Sequence, residues 1–280
     1  MILVADSGST KTKWVSEHHT ITTKGINPVR DTMEEIHEVI RTELMPFLVY
    51  ENGNLAINEI DAIYFYGAGC IEPFSNSVSQ ALKSHFPKSE IIVQSDLLGA
   101  ARALCGKKEG IACILGTGSN SCMCKHGEIV SNTSPLGYIL GDEGSGAVLG
   151  RTILSELLKG ELKELWEDFS KETGLSVTDI INKVYRQPQA NRFLASLTPF
   201  IKRHIERKEV RNIVIQEFKR FIVRNVLPYG RLDLPINFVG GIANNFKEEL
   251  ELACEQCGMK MGKINGSPAE EIYKFHISAI

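Results

Sequence analysis

Two short turns rich in glycine and hydroxyl groups hold the residues best suited to grip an anion. One is Asp6-Ser7-Gly8-Ser9-Thr10-Lys11-Thr12-Lys13, directly after the apolar run Ile2-Leu3-Val4-Ala5. The other is Gly116-Thr117-Gly118-Ser119-Asn120, directly after Ile111-Ala112-Cys113-Ile114-Leu115. Each reads as a strand, a tight turn and a second strand. Such turns present backbone N–H groups and hydroxyls, the donors a phosphate needs. A pair of them suggests two halves of one phosphate clamp and points to nucleotide chemistry. Asp6 ends a buried strand, where a carboxylate is costly unless a cation or hydrogen bonds compensate it. With Lys11 and the hydroxyls it offers a metal–phosphate site in which Asp6 holds Mg²⁺ through water. The same residues also read as a type I′ or II′ hairpin, with Gly8 at positive φ and Asp6 capping the turn. The pattern is not a Walker A loop, because no Gly-Lys-Ser/Thr follows a spaced glycine and no helix follows the turn.

Three further segments carry candidate chemistry. Asp96 ends a strand and opens a helix of small residues, Gly99-Ala100-Ala101. It reads either as an N-cap, worth about 1 kcal/mol, or as a general base at the strand edge where open α/β sheets place ligands. Gly141-Asp142-Glu143-Gly144-Ser145-Gly146 sets two acids between glycines ahead of an apolar helix. One acid suits the helix dipole; the flanking glycines suggest that acid and backbone also approach a polar ligand. Val239-Gly240-Gly241-Ile242-Ala243-Asn244 reads as strand, glycine pair and helix start, which lets a flat ring lie on the backbone.

These residues need a scaffold, and the pattern supplies one twice. Strands are expected over 2–5, 12–16, 21–23, 62–66 and 91–95. Helices are expected over 32–47, capped by Asp31, and over 76–86 and 97–104. The order is β-β-β-α-β-α-β-α. It restarts with strands over 111–115, 121–125 and 128–131. A helical run over 144–226 follows, broken near Gly160, Gly174 and Pro188, then a strand over 236–239 and a helix over 244–257. The restart implies structural duplication, with domains at 1–105 and 106–265. A C-terminal segment, 266–280, would fold as a helix back on the first domain.

Composition narrows the class. The chain has 280 residues, 43% of them apolar, and a net charge of −3. That length favours roughly two domains, and the charge argues against a general nucleic-acid or membrane-surface binder. No apolar stretch is long enough to span a bilayer, and no signal-peptide pattern opens the chain. Seven scattered cysteines fit reduced thiols in the cytoplasm. Cys254-x-x-Cys257 lies on an expected helix without a second pair, so it reads as thiols rather than a metal site. The run 202–211 reads as a solvated helix face, and Trp14 and Trp166 as packing residues.

The ordered set resembles the actin-like ATPase superfamily of sugar kinases, Hsp70-type chaperones and actin. Within it the chain is similar to the N-acetylglucosamine kinase branch, grouped with BadF/BadG/BcrA/BcrD-type ATPases. The marks are Asp6–Lys13, Ser95-Asp96, Gly116–Asn120, Gly141–Ser145 and Val239–Asn244, in the same order along nearly the whole chain. The resemblance implies two actin-like (ribonuclease H-like) α/β domains with a cleft between them, Mg-ATP and a small sugar as ligands, and transfer to the sugar 6-hydroxyl. It implies Asp96 as the base. It implies Asn27, Ser119, Asn120, Asp142 and Asp96 at the sugar, and Asp6 near Mg²⁺. Gly8, Ser9, Thr10, Lys11, Gly116, Thr117 and Gly118 would hold the phosphates, and Gly240, Gly241 and Asn244 the adenosine. A homodimer is plausible on the same ground. The segment Asn132-Thr133-Ser134-Pro135-Leu136-Gly137 departs from the branch, lacking the Gly-Gly-Trp of the animal kinase. The stretch 267–280 lacks the glycine-rich helix start common near the family's end.

Two other classes fit the same fold. An ATPase that activates a dehydratase or reductase would carry an iron–sulfur cluster bridged by cysteines, so an iron-free, colourless protein counts against it. A sugar-sensing protein would bind sugar without turnover.

Overall fold

The computed structural model describes residues 1–48 and 56–278. The chain divides into two compact units. One comprises residues 1–108, 125–129 and 267–280, and the other residues 109–124 and 130–266.

The first unit contains β1 (Ile2–Ser7), β2 (Lys11–Val15), β3 (Thr20–Lys24), α1 (Met33–Val39), β4 (Ala62–Gly67), α2 (Ser75–His85), β5 (Glu90–Ser95) and α3 (Asp96–Cys105). Its sheet order is β3-β2-β1-β4-β5. β1 pairs antiparallel with β2 and parallel with β4. β1 is therefore central, buried on both faces, and reads as a continuous apolar run rather than an alternating one. Its side chains still divide by the strand period of two. Leu3 and Ala5 join Trp14, Phe65, Leu82 and Phe86 in one core, while Ile2 and Val4 join Tyr66 and Leu98 in another. Gly99 lets α3 lie tight on β4, since a methyl there would stand 2.9 Å from the Tyr66 Cβ.

The second unit carries β6 (Gly110–Leu115), β7 (Ser119–Lys125), β8 (Glu128–Thr133), α4 (Gly137–Leu140), α5 (Gly146–Lys159), α6 (Trp166–Thr173), α7 (Val177–Tyr185), α8 (Ala190–Ala195), α9 (Thr198–Arg203), α10 (Lys208–Phe221), β9 (Ile236–Val239), α11 (Gly241–Asn245), α12 (Lys247–Gln256) and β10 (Met261–Asn265). The hairpin tip over 125–129 and the last helix, α13 (Ala269–Ile277), belong to the first unit. The second sheet runs β10-β9-β6-β7-β8, with β6 central and β9 parallel to it. Read from β8, this is the order of the first sheet, so the duplication is real.

Several local expectations need correction. The helix expected over 32–47 ends as an α-helix at Val39, then widens through Ile40–Leu44 and tightens over Met45–Phe47, where Pro46 cannot extend the pattern. Its cap is Thr32, in a capping box with Glu35. Asp31 instead accepts the Asn27 N–H at 2.8 Å and pairs with Arg30. Residues 202–211 are not one helix face, because α9 ends at Arg203 and α10 starts at Lys208. The helix expected over 244–257 begins at Gly241 and breaks at Phe246. β10 was not expected. It contains Gly262, is half-buried except at the exposed Lys263 and shifts register between Met261 and Ile264, which erases the alternation that marks a strand. Ala279 and Ile280, at the end of the expected C-terminal helix, lie outside the described residues.

Candidate active site

In the first unit the candidate residues collect at the ends of β1 and β5 and in the β1–β2 turn. The Gly8 N–H donates to the Lys11 carbonyl at 3.0 Å, closing the turn. Gly8 does not adopt positive φ, so the expected I′/II′ reading is corrected. Buried Ser7 and Thr12 share a hydroxyl hydrogen bond of 2.6 Å, and the Ser7 hydroxyl accepts the Ile26 N–H at 3.0 Å. These bonds draw Gly25-Ile26-Asn27 onto the turn. A methyl on Gly25 would stand 2.4 Å from the Gly8 carbonyl oxygen, so only glycine fits. Arg30, held by Asp31, reaches the carbonyls of Ser9 and Gly25, each at 3.3 Å. Asn27 thus shares a scaffold with Ser9–Lys11. Its Oδ1 accepts the Val29 N–H at 3.0 Å.

Asp96 is not the helix cap. Ser95 fills that role, its hydroxyl accepting the Leu98 N–H at 3.3 Å. The Asp96 carboxylate instead accepts the N–H groups of Asp96 itself and of Leu97 at the start of α3. Burial pushes its pKa up to about 6, against backbone N–H bonds that favour the anion. Asp6 is pushed further, to about 7, first by burial and then by the charge of Asp96, with Lys11 opposing. The Asp96 charge thus raises the cost of ionising Asp6. Cys70 lies near them, its thiol raised to about 12 by burial and by Asp96. A thiol in that state is a packing group, not a nucleophile.

In the second unit the Gly116–Asn120 turn is clamped from behind. The Gly116 and Thr117 carbonyls accept the N–H groups of Gly146 and Ala147 at 2.8 and 3.1 Å, which satisfies the start of α5 with protein rather than ligand. Ser119 donates its hydroxyl to the Glu143 carbonyl at 2.9 Å. Asn120 turns its carbonyl oxygen inward to the Ser121 N–H. The two adjacent acids divide their work. Glu143 is buried, paired with Arg224 at 2.9 Å and accepting from Asn225 at 3.1 Å. Asp142, at φ 52°, lies against the turn: a methyl on Gly118 would meet its Oδ2 at 2.9 Å. Burial raises Asp142 to about 6. Gly240 adopts φ 113°, and a methyl there would stand 2.3 Å from the Leu115 carbonyl oxygen. This packs the β9–α11 turn against the β6–β7 turn. Gly241 and Asn244 are exposed on that same turn.

The glycines test whether these half-sites fit a nucleotide. Gly8, Gly116 and Gly241 lack positive φ. A methyl would find nothing closer than 3.8 Å at Gly8 and 4.0 Å at Gly116, and nothing within 4 Å at Gly241. Neither backbone nor packing requires glycine at these three positions, and each leaves room for close approach of an outside group. For a metal, Asp6 is a carboxylate whose ionisation is governed by burial and by the charges of Asp96, Lys11, Glu270 and Lys13. That donor suits a hard cation. Among the described residues no three His, Cys, Asp or Glu side chains gather as direct metal ligands. Cys254 and Cys257 are free thiols, both raised by burial. Sequence reasoning missed Arg30, whose role emerges only when residues 25–31 fold over the turn, and the Lys13–Glu270 ion pair.

No family profile matches the chain. A curated relative from Clostridium acetobutylicum, an N-acetylmuramic acid/N-acetylglucosamine kinase, is 30% identical over 231 residues, covering 76% of this chain and 74% of the relative. The chain belongs to the N-acetylglucosamine kinase family. A solved structure from Porphyromonas gingivalis, provisionally named an N-acetylglucosamine kinase, superimposes on this family member with a TM-score of 0.92. It is 45% identical and covers 99% of both chains. MreB 5 of Spiroplasma citri, bound to AMPPNP, shares the fold at a TM-score of 0.61 and 12% identity, covering 99% of this chain and 95% of that one. The N-acetylglucosamine kinase family member described here is thus a sugar kinase with two actin-like five-stranded domains. No helix among its described residues is long and apolar enough to cross a membrane.

Proposed function

We propose that this kinase transfers the γ-phosphoryl group of ATP to the 6-hydroxyl of N-acetylglucosamine, with Mg²⁺ as the accompanying ion. The observation that carries the reading is Asp96: a carboxylate at the C-terminal end of β5, beside the cap Ser95, with its pKa raised to about 6, in the same unit as the Gly8–Lys11 turn. The curated relative's name supplies the sugar class.

Asp96 accepts the proton of the sugar hydroxyl as that oxygen attacks the γ-phosphorus. The bond from phosphorus to the β–γ bridging oxygen breaks, and ADP leaves. Phosphoryl transfer asks little covalent chemistry of the protein; positioning and charge neutralisation do most of the work. Ser9, Thr10, Lys11, the backbone of Gly8, and Gly116, Thr117 and Gly118 are the groups assigned to the phosphate oxygens. Gly240, Gly241 and Asn244 support the adenosine. Asn27, Ser119, Asn120 and Asp142 orient the sugar. Mg²⁺, when bound, neutralises phosphate charge, and Asp6 holds it through water. The free thiols suit a reducing cytoplasm.

The test is coupled ADP release with Mg-ATP over N-acetylglucosamine, N-acetylmuramic acid, N-acetylmannosamine, glucosamine and glucose, with the product's phosphate located by NMR. Stimulation by N-acetylglucosamine with a 6-phosphorylated product is the expected result. Stimulation by another sugar alone, or phosphate at another position, overturns the assignment.

A further inference from the structure

Lys13 and Asp6 are directly opposite in the antiparallel β1–β2 pair. Residues so placed project on one face, with their Cβ atoms about 5 Å apart, and opposite charges there normally pair. They do not pair here. The Lys13 ammonium instead forms an ion pair with Glu270, in the first turn of α13. Asp6 has no ion pair among the described residues, and Lys11 is exposed at the start of β2. Glu270 does not wander, because α13 is pinned to the sheet. Ile272 is buried with Val4, Tyr66 and Leu98. His276 stacks on Tyr64 at 3.6 Å between ring centroids and meets the Tyr66 hydroxyl at 2.8 Å. Arg102 donates to that same hydroxyl at 2.5 Å and pairs with Glu128 at 2.6 Å. The Lys13 side chain is itself only 23% exposed, so its ammonium has few alternatives to the two carboxylates.

We propose that Glu270 is a positioning residue of the cation half-site: by holding the Lys13 ammonium it keeps the Asp6 carboxylate open to the divalent ion that accompanies the nucleotide. The inference rests on the kinase reading above and assigns a role within it to the C-terminal helix. Without Glu270, Lys13 turns to its cross-strand partner and competes with the cation for Asp6. Glu270 also raises Asp6 directly by its charge; the role proposed here is the one it plays through Lys13.

The experiment measures Mn²⁺ uptake directly, from the free Mn²⁺ electron paramagnetic resonance signal, on full-length protein with ADP present. The proteins compared are wild type, Glu270→Gln, Glu270→Asp and the double variant Lys13→Met/Glu270→Gln. Outer-shell partners of metal ligands typically contribute 10- to 100-fold in metal affinity. Glu270→Gln is therefore expected to weaken Mn²⁺ binding by roughly that factor, while ADP affinity measured in EDTA stays at the wild-type value. Glu270→Asp retains binding, and the double variant recovers most of what Glu270→Gln loses. Wild-type Mn²⁺ affinity in Glu270→Gln overturns the proposal. So does a double variant as weak as Glu270→Gln, which places the effect in docking of α13 rather than in Lys13. Should Glu270→Gln fail to fold, Glu270→Asp against Lys13→Met/Glu270→Asp poses the same question. A wild-type protein that binds ADP but no Mn²⁺ refutes the cation half-site itself, independently of which sugar is phosphorylated.

Discussion

Replacing Asp96 by asparagine is expected to make the protein more stable and nearly inactive. The fold holds this carboxyl at a pKa of about 6 against an ordinary 3.8. A difference of roughly two units corresponds to about 3 kcal/mol charged against the ionised form in the native state. The sign follows from which state binds more protons. Between pH 3.8 and 6 the unfolded chain gives up its proton while the folded chain keeps it, so stability falls as pH rises through that window. The cost is fully present above pH 6 and gone below 3.8. Asparagine has the same shape and no charge, and its introduction also relieves Asp6, whose own rise to about 7 owes its second-largest part to Asp96. The variant should therefore gain about 1–3 kcal/mol at pH 8, several degrees in melting temperature for a chain of this size. The gain should shrink toward zero at pH 4. Removing the base should cost roughly 10²–10⁴-fold in turnover with ATP affinity retained. Calorimetric melting of both proteins at pH 4, 6 and 8, beside coupled ADP release, checks each part. A variant less stable than wild type at pH 8, or a gain that does not change with pH, refutes the electrostatic argument. Undiminished turnover refutes the assignment of the base.

Other expectations follow from the same groups. Turnover should fall as pH drops through 7 to 5, because Asp96 near 6 must be ionised to accept a proton; at pH 5 roughly a tenth of it remains so, and a flat profile over pH 5–8 argues against this. Gly240→Ala should be destabilised by at least about 1–3 kcal/mol from its φ of 113°, whereas Gly241→Ala should melt like wild type and bind ATP more weakly by calorimetry. Equal melting of the two alanine variants would count against the close approach at Leu115. His276 is held down at about 4, first by burial and then by Arg102. The unfolded chain therefore takes up this proton first, and stability drops as pH falls from 6.5 to 4, by about 2–3 kcal/mol. Urea unfolding at pH 7 and 4.5 should show a smaller loss over that interval in His276→Gln than in wild type.

The ends of the strands were legible because the chemistry there is local. Asp6, Gly8, Gly116 and Gly240 each follow a run whose burial is written in its own residues. The duplicated order was legible for the same reason, down to β9. What failed was choice between adjacent candidates and anything spanning the chain. Asp31 and Thr32 are both good caps, and Ser95 and Asp96 are both good caps; only the backbone geometry decides, in favour of Thr32 and Ser95. Asp142 and Glu143 look alike in sequence, yet one lies against Gly118 while the other is locked to Arg224 and Asn225. Lys13 and Glu270 are 257 residues apart, and no periodicity links them. β10 lacks alternation because its register slips within five residues.

The hydroxyl of Ser95 has an evolutionary consequence. Because it caps the start of α3, the neighbouring carboxylate needs only an acceptor oxygen there, which an amide also supplies, and the loss of its charge relieves a repulsion on Asp6. On the proposed mechanism, a single-nucleotide change from an aspartate to an asparagine codon at position 96 would turn a catalyst into a sturdier receptor for the same ligands. Descendants that bind sugar and nucleotide without turnover would then lie one mutational step away, with no valley of misfolded intermediates to cross.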